Sequence, residues 1–149
     1  MNQPENDRAD SSRRAAERLR VAGIRATAPR VAILAALATD RRHPSAEMLL
    51  ESLRPGHPSL SLSTVYATLE TLAQRGLIRR LGAQGDRLRV DGTARDHDHA
   101  ICRECGAIFD IDRGVLPRPS PPVTLPDGLH VEDVHIEYEV ICAACGRGV

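Results

Sequence analysis

All four cysteines of this chain lie in two copies of the short pattern C-x-x-C-G, at 102–106 and 142–146. The two intervening residues let both thiolates of a pair bind one ion, and the glycine permits the tight turn that follows. Two such pairs complete a tetrahedral shell of four sulfurs and leave no coordination position open. The chain is therefore predicted to fold around a structural zinc ion bound by Cys102, Cys105, Cys142 and Cys145.

Two disulfides or a thioredoxin-like redox pair are the alternative interpretations of these cysteines. The chain opens with MNQPENDRADSSRR, which has no apolar segment, and no stretch of it is apolar over the roughly 18 residues that a membrane span needs. We therefore expect a cytoplasmic protein with no membrane partner, and thiols stay reduced in the cytoplasm. Zinc would also compensate for a core that has one Phe, two Tyr and no Trp to pack.

The net charge of zero hides a basic first half and an acidic second half. Residues 1–83 hold 13 Arg and 8 acidic residues, whereas residues 84–149 hold 7 Arg and 12 acidic residues. This asymmetry predicts that the first half binds a polyanion such as DNA. The second half then has a different role, for which cation binding is one candidate.

Capping residues and apolar residues at helical spacing predict three helices before residue 56. Ser11 or Ser12 would cap the first, which runs to about residue 21. Thr27 would cap the second, with Pro29 in its first turn. Ser45 would cap the third, whose apolar face is formed by Leu49, Leu50 and Leu53.

A fourth helix and a hairpin complete the first half. SLSTVYATLETLAQRG at 61–76 has a serine cap at Ser61 or Ser63. LIRRLG and DRLRVDG then predict two strands around a Gln84-Gly85 turn. Helices followed by a short hairpin are the element order of a winged helix-turn-helix domain, which we assign to residues 1–90. The apolar face of the fourth helix is formed by Val65, Leu69, Leu72 and Ala73.

From about residue 91 the pattern changes to short strands around the cysteine pairs. HAICRECGAIFDI predicts two strands across the first pair, and EDVHIEYEVICAACG predicts a strand that leads into the second. Between them, residues 117–126 contain five prolines, which excludes a regular helix or a central strand. These features define a second domain, residues 91–149.

His97 and His99 are one residue apart and would face the same side of a strand. Acidic residues flank them, so a second metal site with nitrogen and oxygen donors is one interpretation. An ordinary surface or core position is the simpler interpretation for any single histidine. Asp96 and Asp98 would point to the opposite face and serve as solubilising charge.

Five stretches together resemble the ferric uptake regulator family, and the likeness covers nearly the whole chain. They are TAPRVAILAAL, HPSAEMLLESLR, SLSTVYATLETLAQRGLIRRL, HDHAICRECG and the closing CAACG. The resemblance implies an α+β protein: an N-terminal winged helix that binds DNA, and a small C-terminal α/β domain that forms a homodimer and carries the structural zinc. It also implies an exchangeable metal between the domains. The proline-rich segment departs from the family, whose members usually have a helix there.

Carried over by position, the resemblance implies a set of five regulatory-metal ligands without sulfur, which suits Fe(II) or Mn(II). Iron-sensing members tend to have Glu where this chain has Asp91 and Asp110, whereas the peroxide-sensing branch has Asp at both. Membership of that branch would imply that Fe(II)-catalysed oxidation of His43 and His97 releases DNA. An iron- or manganese-responsive repressor without peroxide sensing is the alternative. The five implied ligands are His43, Asp91, His97, His99 and Asp110.

The start of the fourth helix is the predicted DNA-reading surface, because recognition helices contact base edges there. Arg30 is a candidate phosphate contact, and core packing is the simpler interpretation of Tyr66. A two-fold dimer predicts a palindromic operator, which we expect to be AT-rich. The predicted contacts on the fourth helix are Ser61, Ser63, Thr64 and Tyr66.

Two rival classes remain at this point. A zinc-ribbon metalloenzyme would need an open metal position and a general base, for which Glu104 or Glu132 is available. A metal-storage or interaction module would not need the basic first half. We therefore expect no enzymatic activity and no small organic substrate.

Overall fold

The computed structural model describes residues 3–82, 88–93, 96–117, 125–131 and 134–146, and for residues 3–6 it describes the backbone only. The chain divides into two compact units, Met1–Ala94 and Arg95–Val149, and Asp91 falls in the first of them. Helices make up most of the first unit, whereas the regular structure described in the second consists of three strands and one 3-10 turn. The mixed helix and sheet composition agrees with the predicted α+β class.

Helix α1, Gln3–Val21, begins earlier than the sequence analysis predicts. Ser11 and Ser12 lie inside this helix, so the predicted cap at either residue is wrong. Asp10 helps to explain the longer helix, because its carboxylate pairs with the guanidinium of Arg14 at 2.6 Å, one turn further on. A polar segment without an apolar face is thus helical where the hydrophobic pattern alone gave no signal.

Three further helices begin at their predicted caps. The Ser45 hydroxyl accepts a hydrogen bond from the Met48 amide at 3.4 Å, and the Ser61 hydroxyl accepts one from the Thr64 amide at 3.2 Å. Each bond satisfies a donor that the first turn of a helix leaves open. Thr27 occupies the cap position of its helix without such a bond. These helices are α2 (Ala28–Thr39), α3 (Ala46–Leu53) and α4 (Leu62–Gln74).

One aliphatic core holds the four helices of the first unit together. The predicted faces of α3 and α4 point into it, and its described members include no aromatic residue. Burying each of the larger side chains contributes about 1.5–3 kcal/mol, so leucine, isoleucine and valine replace the missing aromatic packing. The fully buried members are Leu19, Ile33, Leu34, Leu37, Leu49, Val65, Leu72 and Val90.

A two-stranded antiparallel sheet completes the first unit after α4. Strand β1, Arg79–Leu81, pairs with β2, Arg89–Asp91. The predicted Gln84-Gly85 turn lies outside the described residues. Gly92 follows β2 in close contact with α2, because a Cβ at this position would lie 2.5 Å from the Cβ of Leu37. Helices followed by this sheet confirm the predicted winged helix-turn-helix domain.

The second unit is built on a three-stranded sheet with the order β4-β3-β5. Strand β3 is antiparallel to β4 and parallel to β5, and the register sets His99 opposite Asp110 and Cys102 opposite Val140. Because β3 and β5 run in the same direction, both lead into their cysteine pairs at the same end of the sheet. The strands are β3 (His97–Cys102), β4 (Ile108–Asp112) and β5 (Glu137–Val140).

The proline-rich segment is described only at its two ends. Residues 118–124 lie outside the described residues, so its predicted lack of a regular helix stays a prediction. A single 3-10 turn, Pro126–Gly128, follows, and the described part of the second unit contains no α-helix. In the part of the chain that the structure describes, no helix has the length and hydropathy that crossing a bilayer requires.

Candidate metal centres and DNA-reading surface

The four cysteine sulfurs converge in the second unit and lie within 4.8 Å of one another. All four thiols are free, and the sulfurs of Cys105 and Cys142 are 3.8 Å apart. A disulfide needs a separation of about 2.0 Å, so the disulfide interpretation does not hold. Sulfurs at two corners of a tetrahedron, each about 2.3 Å from zinc, are about 3.8 Å apart. The observed separation therefore fits a closed zinc site.

Hydrogen bonding around these thiols also shifts their pKa values in opposite directions. The backbone N–H groups of Cys142 and Cys105 stabilise the Cys102 thiolate and lower the pKa of Cys102 to about 6, and the first of these donors lies 3.4 Å from the sulfur. Hydrogen bonding to Cys105 and Cys142 raises the pKa of Cys145 to about 12. Four crowded thiolates repel one another unless a divalent ion is present, and soft sulfur ligands suit zinc.

A second cluster of donors lies on strands β3 and β4, at the opposite end of β3 from the cysteines. The Nε2 atoms of His97 and His99 are 3.0 Å apart, and Asp110 Oδ1 lies 3.4 Å from the first and 3.9 Å from the second. The two imidazoles are almost completely buried. Two ligands at right angles on one ion, each at about 2.1 Å, are about 3.0 Å apart. An N–H···N hydrogen bond between the two rings would have the same length, so the distance alone does not indicate a metal site. The Asp110 carboxylate beside the rings supplies a third possible metal ligand.

Asp98 corrects one interpretation made from the sequence. Its side chain is 2% exposed, so the expectation that it serves as solubilising charge is wrong. Asp96 is exposed and pairs with Arg113, as a surface charge would. Strict alternation along β3 predicted one polar face and one ligand face, whereas the strand is buried on both. Burial of both faces of a strand depends on what packs on each side of its sheet, which the local pattern does not reveal.

His43 and Asp91 form a third pair of donors, within the first unit. Their ligand atoms lie within 4.8 Å of each other, and the side chains are 1% and 3% exposed. His43 has a backbone φ of +53°, which is uncommon for a residue with a side chain. The Asp91 carboxylate accepts a hydrogen bond from the Thr93 amide at 2.8 Å, which fixes its orientation. The first unit thus buries one nitrogen donor and one oxygen donor together.

The predicted DNA-reading residues lie at the start of α4. The Ser61 hydroxyl is 2.9 Å from that of Ser63 and 2.8 Å from that of Thr64, so the three form one hydrogen-bonded group. Tyr66 is 42% exposed, and core packing therefore does not explain it. Its hydroxyl donates to Glu47 Oε1 on α3 at 2.7 Å. No local signal in the sequence links these two residues, which are 19 positions apart.

An open cleft of about 660 Å³ lies between the start of α2 and the exposed side of α4. Arg25 and Arg30 line it near the start of α2, and most of its hydroxyl groups come from α4. The Arg30 guanidinium donates to the Arg25 carbonyl at 3.2 Å. Positive charge beside hydroxyl donors is the chemistry that binds nucleic-acid phosphates. The hydroxyl residues of the cleft are Thr27, Ser63, Thr64, Thr68 and Thr71.

The chain combines a winged-helix unit with a closed cysteine cluster and with buried histidine and aspartate donors. This combination defines a metal-responsive DNA-binding regulator. Residues 21–139 match the ferric uptake regulator family. The chain is 33% identical over 131 residues to the transcriptional regulator FurA of Mycobacterium bovis, covering 87% of this chain and 88% of that one. It is 32% identical over 133 residues to the peroxide operon regulator of Bacillus subtilis, covering 89% and 92%. The chain belongs to the ferric uptake regulator family.

A solved structure from the same family has the same fold. The structure of the Helicobacter pylori ferric uptake regulator matches with a TM-score of 0.67 and 20% identity, covering 93% of each chain. Family members are transcriptional regulators that bind DNA as dimers, and they are not enzymes. The rival of a zinc-ribbon enzyme is thereby excluded. Of its two nominated bases, Glu104 is a surface residue paired with Arg103, and Glu132 lies outside the described residues.

Proposed function

We propose that this regulator is a metal-dependent repressor that senses hydrogen peroxide through Fe(II)-catalysed oxidation of its own ligand histidines. The observation that carries the proposal is the donor cluster of two buried imidazoles and the Asp110 carboxylate, which contains no sulfur. Nitrogen and oxygen donors suit Fe(II), whereas a thiolate would favour zinc. The likeness to the peroxide operon regulator of Bacillus subtilis supports peroxide as the signal.

The cysteine cluster has a separate, permanent role in this proposal. Zinc held by Cys102, Cys105, Cys142 and Cys145 closes the second unit and takes no part in sensing, because a closed site has no position for another ligand. Residues 1–90 act as the DNA-binding domain, and residues 91–149 act as the dimerisation and metal-binding domain. The protein acts in the cytoplasm, where a bacterial regulator finds its operator.

The regulatory ion is proposed to be held jointly by the pair in the first unit and the cluster in the second. Each unit buries only part of a full ligand set, which supports sharing. Suppose that the ion binds only the conformation that binds DNA. At a free concentration of about 100 times its dissociation constant, it then stabilises that conformation by about 2.7 kcal/mol. The same coupling requires that operator DNA tighten metal binding. The proposed ligands are His43, Asp91, His97, His99 and Asp110.

Oxidation would act on the imidazole rings. Bound Fe(II) supplies the reactivity that cleaves the O–O bond of hydrogen peroxide. One peroxide oxygen is added to a ring carbon of His43 or His97, and the other leaves as water. The oxidised ring is a poorer donor, so the ligand set loses affinity for its ion and the DNA-binding arrangement is no longer favoured. Burial of both rings supports a local oxidant, since a freely diffusing one would react first with exposed side chains.

Mass spectrometry of Fe(II)-loaded and Mn(II)-loaded protein after peroxide treatment tests this proposal. We expect a gain of one oxygen atom on the peptides containing His43 and His97 in the Fe(II) form only. His130 is exposed and belongs to none of the donor clusters found among the described residues, so its peptide serves as the internal control. Operator affinity should fall in step with the oxidation. Equal oxidation of His130, or no oxidation at all, would leave the alternative of an iron- or manganese-responsive repressor without peroxide sensing.

For DNA recognition we propose that α4 reads an AT-rich palindrome. Tyr66 would contact a thymine methyl group, while Ser61, Ser63 and Thr64 would contact bases or phosphates. Arg30, beside the open cleft, would contact a phosphate. The exposure of the Tyr66 ring and the positive charge of the cleft support these assignments.

Replacing Tyr66 with alanine should weaken operator binding by about 5- to 150-fold, because one good base contact is worth about 1–3 kcal/mol. Replacing single thymines of the operator with deoxyuridine removes only the methyl groups. At one such position the replacement should weaken operator binding by the wild-type protein and have no further effect on operator binding by Tyr66→Ala. Gln74→Ala, at the far end of the same helix and outside the cleft lining, is a suitable control. If every deoxyuridine operator binds the two proteins in the same ratio as the thymine operator, Tyr66 does not read a methyl group.

A further inference from the structure

We infer that Arg89 is a positioning residue for the regulatory-metal ligand His43, which it acts on through the backbone of the segment Arg42–Ser45. Arg89 lies on β2, in the two-stranded sheet that forms the wing of the winged helix, 46 residues after His43. The inference rests on the proposed function, because it takes His43 as a ligand. It goes further by assigning the pre-organisation of that ligand to a residue outside the donor set.

Strand β2 binds three consecutive carbonyl groups of the segment. The Arg89 side chain donates through Nε to the His43 carbonyl and through Nη2, at 2.8 Å, to the Arg42 carbonyl. The Val90 amide donates to the Pro44 carbonyl at 3.2 Å. An isolated antiparallel β-bridge joins Ser45 to Arg89 itself. The backbone on both sides of His43 is therefore held from one strand.

His43 has a particular need for this support. Its φ of +53° is a left-handed conformation that is strained for a residue with a side chain. Such a conformation persists only where surrounding contacts determine it. The next helix is capped two residues later by Ser45, so the imidazole direction depends on this short segment. The guanidinium binds two neighbouring carbonyls at once, which the single ammonium of lysine cannot do with the same geometry.

The same strand also carries the other donor of the first unit. Arg89 and Asp91 are two residues apart, so their side chains emerge on the same face of β2. Val90, between them, is completely buried and anchors the opposite face. A shift of β2 would therefore displace the Asp91 carboxylate and release the His43 segment together. The two buried donors of the first unit are fixed by one structural element.

Metal affinity of the zinc-containing full-length protein tests the inference. Arg89→Ala should weaken Mn(II) binding by about 10- to 100-fold, which is the usual loss when a group supporting a ligand is removed. Arg89→Lys should lose less, and the visible spectrum of Co(II) bound to either variant should differ from that of the wild type. Arg80→Ala is the matched control, because Arg80 lies on the same wing sheet but pairs with Glu70. Unchanged Mn(II) affinity and an unchanged Co(II) spectrum in both Arg89 variants would overturn the inference.

Hydrogen exchange without the regulatory metal gives an independent readout. The Val90 amide, which donates to the Pro44 carbonyl, should exchange at least about tenfold faster in Arg89→Ala, while amides in α2 and α4 keep their protection. Equal exchange at Val90 would contradict the positioning role.

The variant His43→Ala distinguishes failure of the proposed function from failure of the inference about Arg89. If that variant binds Mn(II) as the wild type does, His43 is not a ligand and the proposed function fails; if it binds weakly while Arg89→Ala binds normally, only the inference fails.

Discussion

Cys105→Ser is expected to release zinc and to abolish cooperative folding of the second unit. The free energy of zinc binding in small structural sites is about 10–16 kcal/mol, which is comparable to the whole stability of a typical domain. The second unit has little apolar packing to replace zinc, because several of its large apolar side chains, such as Phe109, Leu116 and Leu129, are exposed rather than packed in a core. Loss of zinc should therefore also abolish the dimer.

Comparison of two cysteines separates metal binding from packing. Cys102 is completely buried, whereas Cys105 is exposed. If zinc is the cause, Cys102→Ser and Cys105→Ser should lose zinc and thermal stability alike. If packing is the cause, only the first should matter. Glu104→Gln, between the two ligands, is the neutral control.

Zinc content by elemental analysis, thermal unfolding and analytical ultracentrifugation provide the measurements. The first unit has its own aliphatic core, so helical circular dichroism should largely persist in the serine variants. A Cys105→Ser protein that keeps full zinc content and its unfolding temperature would show that these sulfurs do not form the zinc site.

His99→Ala is expected to abolish metal-dependent repression while leaving the fold and the zinc intact. Removing a ligand should weaken Mn(II) or Fe(II) binding by at least about 100-fold, the upper end of the loss seen for groups that only support ligands. Operator affinity in the presence of metal should then fall by about 5- to 150-fold, the usual range of coupling between two sites. His99 belongs to the same donor cluster as His97 and Asp110, but it is not a proposed oxidation site. Its replacement therefore tests metal binding alone.

The measurements are operator binding with and without added Mn(II), zinc content and unfolding temperature. His57→Ala is the matched control, because His57 lies in the loop after α3 and, in the described part of the chain, belongs to neither the cysteine cluster nor the histidine and aspartate donors. Metal-free wild type and His99→Ala should bind the operator equally. A variant that still responds to Mn(II) at the wild-type concentration would contradict the assignment of His99 to the regulatory site.

The helices of the first unit could be predicted from sequence where residues close together in the chain define them. Serine caps and apolar faces gave α3 and α4 correctly, because a helix start and an amphipathic face depend on residues three or four positions apart. The start of α1 was missed, because a polar helix supported by pairs such as Asp10 and Arg14 has no apolar face to detect. The burial of Asp98 was missed, since the neighbours of a central strand come from distant parts of the chain.

By itself the sequence determined which four residues form the cysteine cluster, because two C-x-x-C-G turns each bring a pair of sulfurs together within five residues. It also determined the order of helices and strands that defines the winged helix. The tertiary structure alone decided that the sulfurs of Cys105 and Cys142 lie 3.8 Å apart, because parallel pairing of β3 with β5 joins segments 37 residues apart. It alone decided that Arg89 holds the backbone of His43, since a hydrogen bond to a carbonyl group leaves no mark in the side-chain pattern from which folds are predicted.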